Sequence, residues 1–289
     1  MTDRCLLTVH AHPDDEASKG AGTVRRYADD GIRCVLVCAT GGEAGDILNA
    51  ALDSDDVRSR IGEVRRQELD RSAGIIGYEE VIMLGYRDSG MPDSEPNAHP
   101  DAFVNQPFDD CVDRLVEIVR SSQPQVMVTY DDVHEGYPHP DHIRVQQISD
   151  AAYDKAADAG HRPDLGEPWA ISKLYRTMFS RDRLEKMHIR LNELGLESPF
   201  DAAWFERPWQ DHRITTRVEV SGQYSTRKAA LLAHATQVAP DSPFWFGLPD
   251  HELAAIHPWD DYSLAAHRLG DYVAGTPDEP ETDLFAGIA

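Results

Sequence analysis

Basic residues are scarce in this chain: 28 Lys and Arg stand against 51 Asp and Glu, a net charge of −23 over 289 residues. With no basic stripe to grip phosphates, a nucleic-acid partner is not expected. The acidity fits a salty cytoplasm or plain solubility equally well and carries no substrate information. Cysteine is also rare. Cys5, Cys34, Cys38 and Cys111 fall on or beside apolar runs, without a CxxC pair or the dense framework of a secreted domain, so they are expected as buried thiols in a reducing cytoplasm. Long apolar runs are missing altogether: none approaches the ~20 residues that span a bilayer. The opening MTDRCLLTVHAHPDDE turns charged after a short apolar stretch, so neither a signal peptide nor a membrane anchor is expected. There is no internal repeat and no low-complexity segment, and no feature specifies an oligomeric state.

What is present is ordinary: 41% hydrophobic and 27% charged residues, enough to bury a full core in one large domain or two small ones. The first half alternates β-rich runs with helical patterns, the signature of a mostly parallel α/β sheet flanked by helices. Strands are predicted at Cys5 to His10, Arg33 to Ala39, Val81 to Leu84 and Gln125 to Tyr130. Between the first two, Val24, Tyr27 and Ala28 share a helical face that stops at Asp29-Asp30-Gly31. A long charged helix is predicted from about Asp56 to Ile75, an apolar-faced helix around Cys111 to Val119, and a third from near Asp141 to Ala157. A proline-dotted loop covers Ser89 to Pro107, long enough to point to function or disorder. Beyond about Gly160 the rhythm loosens, with strands at Ile171 to Phe179 and Ile214 to Val220 and helices at Arg181 to Leu194 and Tyr224 to His234. Residues 1–160 therefore read as an α/β core, and 161–289 as an extension or cap packed on it.

Two clusters carry the chemistry. His10-Ala11-His12-Pro13-Asp14-Asp15-Glu16 begins where the first strand stops, the end of an open α/β sheet at which ligands bind. His12 and Asp15 offer a nitrogen and an oxygen to one metal, while Asp14 is free to point elsewhere as an unligated base. The same residues also suit a helix opening in which Pro13, Asp14 and Asp15 satisfy free N–H groups, and this segment alone leaves both readings open. Gly136-Tyr137-Pro138-His139-Pro140-Asp141-His142 likewise follows a strand and opens a helix, with an exposed proline-rich turn as the plainer alternative. His142 is the natural third ligand. Two His and one carboxylate with an open position form the ligand set of catalytic Zn2+ in hydrolases, and the set also suits Fe2+. Asp141 is expected either to orient an imidazole or to cap the helix.

An HPDDE segment followed by HPDH resembles the zinc-dependent deacetylases of the LmbE-like, or PIG-L, family. The resemblance implies a Rossmann-like core with the metal at the C-terminal edge of the sheet. It implies His12, Asp15 and His142 as zinc ligands, Asp14 as general base, and His139 and Tyr137 at the oxyanion or the leaving amine. It runs from end to end, through HAHPDDEASKG, TGGEAGDILN, LGYRDSGMP, GYPHPDHI, GLESPF, AHATQV and the terminal TDLFAGIA, and is strongest toward family members that handle mycothiol. The activity it implies is cleavage of the amide of mycothiol S-conjugates, a small-molecule pseudodisaccharide partner. The alternative is deacetylation of N-acetylglucosaminyl-inositol or another N-acetyl sugar. Lys19 leans toward the amidase, while Arg60-Ile61-Gly62-Glu63 looks more like the deacetylase.

Expected substrate contacts are Asp88 for a sugar hydroxyl, Lys19 for the conjugate and Arg60 for the inositol side, although a helix rich in Arg and Glu usually presents an exposed, ion-paired face. Glu43, Asp46 and Asn49 are placed to wall the pocket, and His234 and Gln237 to close it from the second half. His10 is expected to pack behind the ligands. Phe244, Trp245 and Phe246 offer an aromatic rest for a bulky thiol adduct, or ordinary buried packing.

Overall fold

Strand β1 (Cys5–His10) is buried along its whole length, as an uncharged apolar run must be when helices cover both faces of a sheet. The structure is a computed structural model and describes residues 4–134 and 136–289. From β1 the chain passes through α1 (Asp15–Ser18) and α2 (Ala21–Asp29) to β2 (Arg33–Thr40). It continues through α3 (Asp55–Ser59) and α4 (Ile61–Ile76) to β3 (Glu80–Tyr86), and through α5 (Phe108–Ser122) to β4 (Val126–Thr129). Helix α6 (Pro140–Lys155) leads to β5 (Lys173–Met178), and α7 (Arg181–Glu193) and α8 (Ala202–Phe205) lead to β6 (Thr216–Glu219). Helices α9 (Tyr224–Ala233), α10 (Pro243–Phe246) and α11 (Asp250–Ile256) precede β7 (Trp259–His267).

One seven-stranded sheet runs in the order β3-β2-β1-β4-β5-β7-β6. The first five strands are parallel, and β7 lies antiparallel to both β5 and β6. Because side chains alternate across a strand, the parallel strands feed two cores. Leu7, Val9, Val35 and Val37 pack with Leu115 and Val119 of α5 and Ile148 of α6; Leu6, Leu36 and Cys38 pack with Val24, Tyr27, Leu69 and Ala73 on the other face. A third cluster, built on Leu184, Met187, Phe200, Tyr224 and Leu253, lies in the later half. From β1 the chain moves outward to β2 and β3, then returns to β4 on the opposite side of β1. That reversal opens a crevice at the carboxyl ends of β1 and β4, where open α/β sheets bind ligands.

Two elements differ from the sequence reading. The predicted single helix over 56–75 is broken at Arg60, whose backbone (φ −124°, ψ 23°) leaves the helical region between α3 and α4. Strand β7 has no apolar run to mark it in the sequence, since it carries adjacent aspartates, Asp260 and Asp261. Both are buried because Thr23 donates to the first, while Arg217 and His257 partner the second. Among the described residues no helix is long and apolar enough to cross a membrane.

Candidate active site

The turn after β1 and the turn before α6 straddle the crevice, and the two sequence clusters meet there. Ligand-type atoms of His12, Asp15 and His142 all lie within 4.8 Å of one another. Asp15 Oδ2 is 3.5 Å from His12 Nδ1 and 3.3 Å from His142 Nε2, and it accepts hydrogen bonds from the His12 N–H at 3.0 Å and the Tyr130 hydroxyl at 2.6 Å. Tyr130 also receives the Ala11 N–H at 2.6 Å and stacks on His142 with ring centroids 4.1 Å apart. This tyrosine ends the strand run Gln125 to Tyr130, and its position one residue past β4 was the available signal. His10 is buried against the Tyr130 ring, and burial pulls its pKa down to about 4, so it packs as a neutral ring outside both ligand clusters.

His12 Nε2 is 3.1 Å from Asp141 Oδ2, which also accepts the Ser89 N–H at 3.0 Å. A carboxylate on one ring nitrogen fixes the proton there and turns the other nitrogen, Nδ1, toward Asp15. The side chain that caps α6 is instead His139, whose Nδ1 accepts the Asp141 N–H at 3.2 Å. That bond keeps the proton of a neutral His139 on Nε2. Burial, then the neighbouring His12, lower the pKa of His139 below its ordinary value, which favours this neutral form.

The donor set fits a divalent cation. Burial holds His142 down to about 3, leaving it a neutral imidazole able to coordinate. Burial alone would raise the Asp15 carboxyl, yet Lys19 and the two imidazoles outweigh it and hold the group ionised. Four carboxylates, Asp14, Asp15, Asp88 and Asp141, surround this small space, and a second grouping of His12, Asp88, His139 and Asp141 shares the same His12. Such an excess of buried negative charge is what a metal ion neutralises.

Asp14 lies outside both groupings of ligand-type atoms. It occupies the cap position of α1 but its side chain does not cap the helix, and it lines the cavity. Burial, then the adjacent Asp15, raises its pKa to about 7. Tyr137 sits at the exposed rim with its ring 5.9 Å from that of His139.

A cavity of about 680 Å³ extends from this centre. Lys19 is on its wall, with Nζ on Asp15 Oδ1, and so is Asp88, whose carboxylate accepts the N–H of Gly90 at 2.8 Å and of Ala44 at 3.1 Å. Burial pushes Asp88 up, but the bonds to His12 and these N–H groups outweigh it and keep it ionised. Arg60 must be corrected: it is exposed, pairs with Asp56 at 2.7 Å and does not line the cavity. Arg65 lies there instead. It is buried within the charged helix, donates to the carbonyls of Gly42, Gly45 and Asp46, and holds the loop after β2 in place. A Cβ at position 45 would come within 2.7 Å of its guanidinium, so Gly45 is what lets the arginine approach. Asp46 and Gln237 line the cavity; Glu43 instead accepts the Asp88 N–H, Asn49 bonds Ala51, and His234 is buried behind the site. At the β5–β7 end Phe179, Trp204, Trp209, Phe244, Trp245 and Trp259 line the wall beside the charged groups of Arg183, Asp260 and Asp261, while Phe246 packs into the core. The sequence reading singled out only Phe244 and Trp245 among these lining residues.

Residues 7–153 match the PIG-L family, described as GlcNAc-PI de-N-acetylase. Over 100% of this chain and 99% of the other, the sequence is 39% identical to mycothiol S-conjugate amidase of Streptomyces coelicolor. It is 37% identical, with 100% of both chains covered, to the 1D-myo-inositol 2-acetamido-2-deoxy-alpha-D-glucopyranoside deacetylase of Thermobispora bispora. Among solved structures, N,N'-diacetylchitobiose deacetylase from Pyrococcus horikoshii shares the fold with a TM-score of 0.63 at 18% identity, over 91% of this chain and 84% of that one.

Proposed function

The chain belongs to the PIG-L family, a hydrolase of amide C–N bonds, and from that premise we propose that it is a zinc-dependent amidase of mycothiol S-conjugates, releasing a mercapturic acid and glucosaminyl-inositol. The observation that carries this reading is the set of aromatic rings that line the cavity together with its polar groups. Polar groups of Asp88 and Asp46 suit a polyol, and the rings of Phe179, Trp209, Phe244, Trp245 and Trp259 suit a bulky apolar substituent. A two-carbon acetyl group covers little of that aromatic wall. Full-length identity to the Streptomyces coelicolor amidase supports the same choice.

His12, Asp15 and His142 would hold the metal, which when bound lowers the pKa of a water toward about 7 and polarises the scissile carbonyl. The same donors suit Fe2+. Asp14, free of the ligand set, takes the proton of the attacking water. His139, its Nδ1 engaged by the backbone, presents Nε2–H to the developing oxyanion, with the Tyr137 hydroxyl beside it, and one such donor is worth roughly 10²–10³ in turnover. As the C–N bond breaks, the proton held on Asp14 passes to the leaving nitrogen. His139 is the poorer acid because an imidazolium would have to give up the bond at Nδ1.

The decisive assay offers the zinc-loaded protein N-acetylglucosaminyl-inositol and an S-alkylated mycothiol at equal concentration and identifies products by mass. The conjugate is expected to be consumed preferentially. Preference for the acetyl sugar would move the protein to the deacetylase reading, which the 37% full-length identity to the Thermobispora bispora enzyme favours.

A further inference from the structure

Two sequence features are left over by the mechanism: the glutamate that ends HPDDE and the histidine of AHATQV. They meet beneath the base. Glu16 and His234 are both fully buried, and Glu16 Oε1 lies 2.6 Å from His234 Nε2. The Ser72 hydroxyl donates to the same oxygen, while the other, Oε2, accepts the N–H of Asp14 at 2.9 Å. The His234 segment is itself anchored to α4, since Glu68 accepts from the N–H of Thr236 at 2.8 Å and from its hydroxyl at 2.7 Å.

Asp14 needs this support. Its φ of 104° lies in the left-handed region, which residues other than glycine seldom adopt and keep only when their surroundings over-determine it. In that conformation the Asp14 carbonyl accepts from Ala17 and Ser18 and so opens α1, leaving the carboxylate on the cavity wall instead of on the helix end. We propose that Glu16 and His234 are positioning residues for the base: His234 fixes the Glu16 carboxylate, and Glu16 fixes the Asp14 N–H in the turn that aims its side chain. This inference rests on the amide-hydrolase reading and adds to it a residue from the far end of the chain.

The test compares His234→Asn, whose amide is too short to reach Glu16, with His234→Gln, whose amide nitrogen can take the place of Nε2. His234→Asn is expected to lose about 10²-fold in kcat, the usual effect of misplacing a reacting group by about 1 Å, with KM and metal stoichiometry unchanged. Its crystal structure should show Asp14 relaxed to negative φ. His234→Gln should keep positive φ and most of the parent kcat. Parent-like kcat in His234→Asn, or an unmoved Asp14 φ, overturns the proposal, as does an equal loss of metal binding and thermal stability in both variants. If His234→Asn does not fold, His234→Gln decides alone: retention of the Glu16 contact together with loss of kcat or of positive φ overturns it. A parent enzyme inactive on every amide offered would sink the hydrolase reading, while the Asp14 φ of the variant crystals would still judge the positioning.

Discussion

Neighbouring carboxylates differ in charge state according to what surrounds each side chain. Asp15 is ringed by Lys19, Tyr130 and two imidazoles and stays ionised; Asp14, one position earlier, is raised to about 7 by burial and by Asp15 itself. A group that titrates near neutrality can both accept and return a proton, whereas a strongly ionised one serves as a ligand. Asp14→Ala is therefore expected to retain stoichiometric metal but lose roughly 10²–10⁴-fold in kcat, and His12→Ala to lose metal and activity together. Metal content by elemental analysis beside a turnover assay checks this, and undiminished activity in Asp14→Ala would defeat the mechanism.

Among the elements, the charged stretch over 55–76 shows how a break decides what a helix presents. With the break at Arg60, α3 stays in solvent and α4 lies on the core with Arg65, Leu69, Ala73 and Ile76 buried. Arg60 then faces water beside Asp56, and Arg65 reaches the loop after β2. Arg60→Ala should leave kcat/KM unchanged, since exposed ion pairs contribute little. Arg65→Met should raise KM, because three carbonyls on the cavity wall lose their donor. Steady-state kinetics on both variants distinguish the two positions; an effect at Arg60 with none at Arg65 would reverse the assignment.

For the whole molecule, the later half completes both the sheet and the cavity. Strands β5, β6 and β7 extend the parallel sheet, and the end of the chain returns to its beginning: Phe285 is buried against Tyr27, whose hydroxyl bonds Asp283 and receives the Leu284 N–H. Nearby, the buried Lys173 meets Glu281 and Tyr175. Phe285→Ala should cost about 3–5 kcal/mol, the usual cost of emptying a buried aromatic site, measurable as a fall in urea midpoint with unchanged slope. A shift within error would mean that the tail is not part of the folding unit. Local features are legible in the residues alone: the alternation of strands and helices, and two clusters each contiguous enough that spacing alone delivers their donors to one turn. Everything that joins distant segments emerges only in the folded chain: Tyr130 on Asp15, Asp141 on His12, Arg65 in place of Arg60, β7 with its two partnered aspartates, and His234 beneath Glu16. Those contacts depend on which strands lie side by side, and strand order follows from how the crossovers pack on the sheet, which no periodicity within a segment encodes.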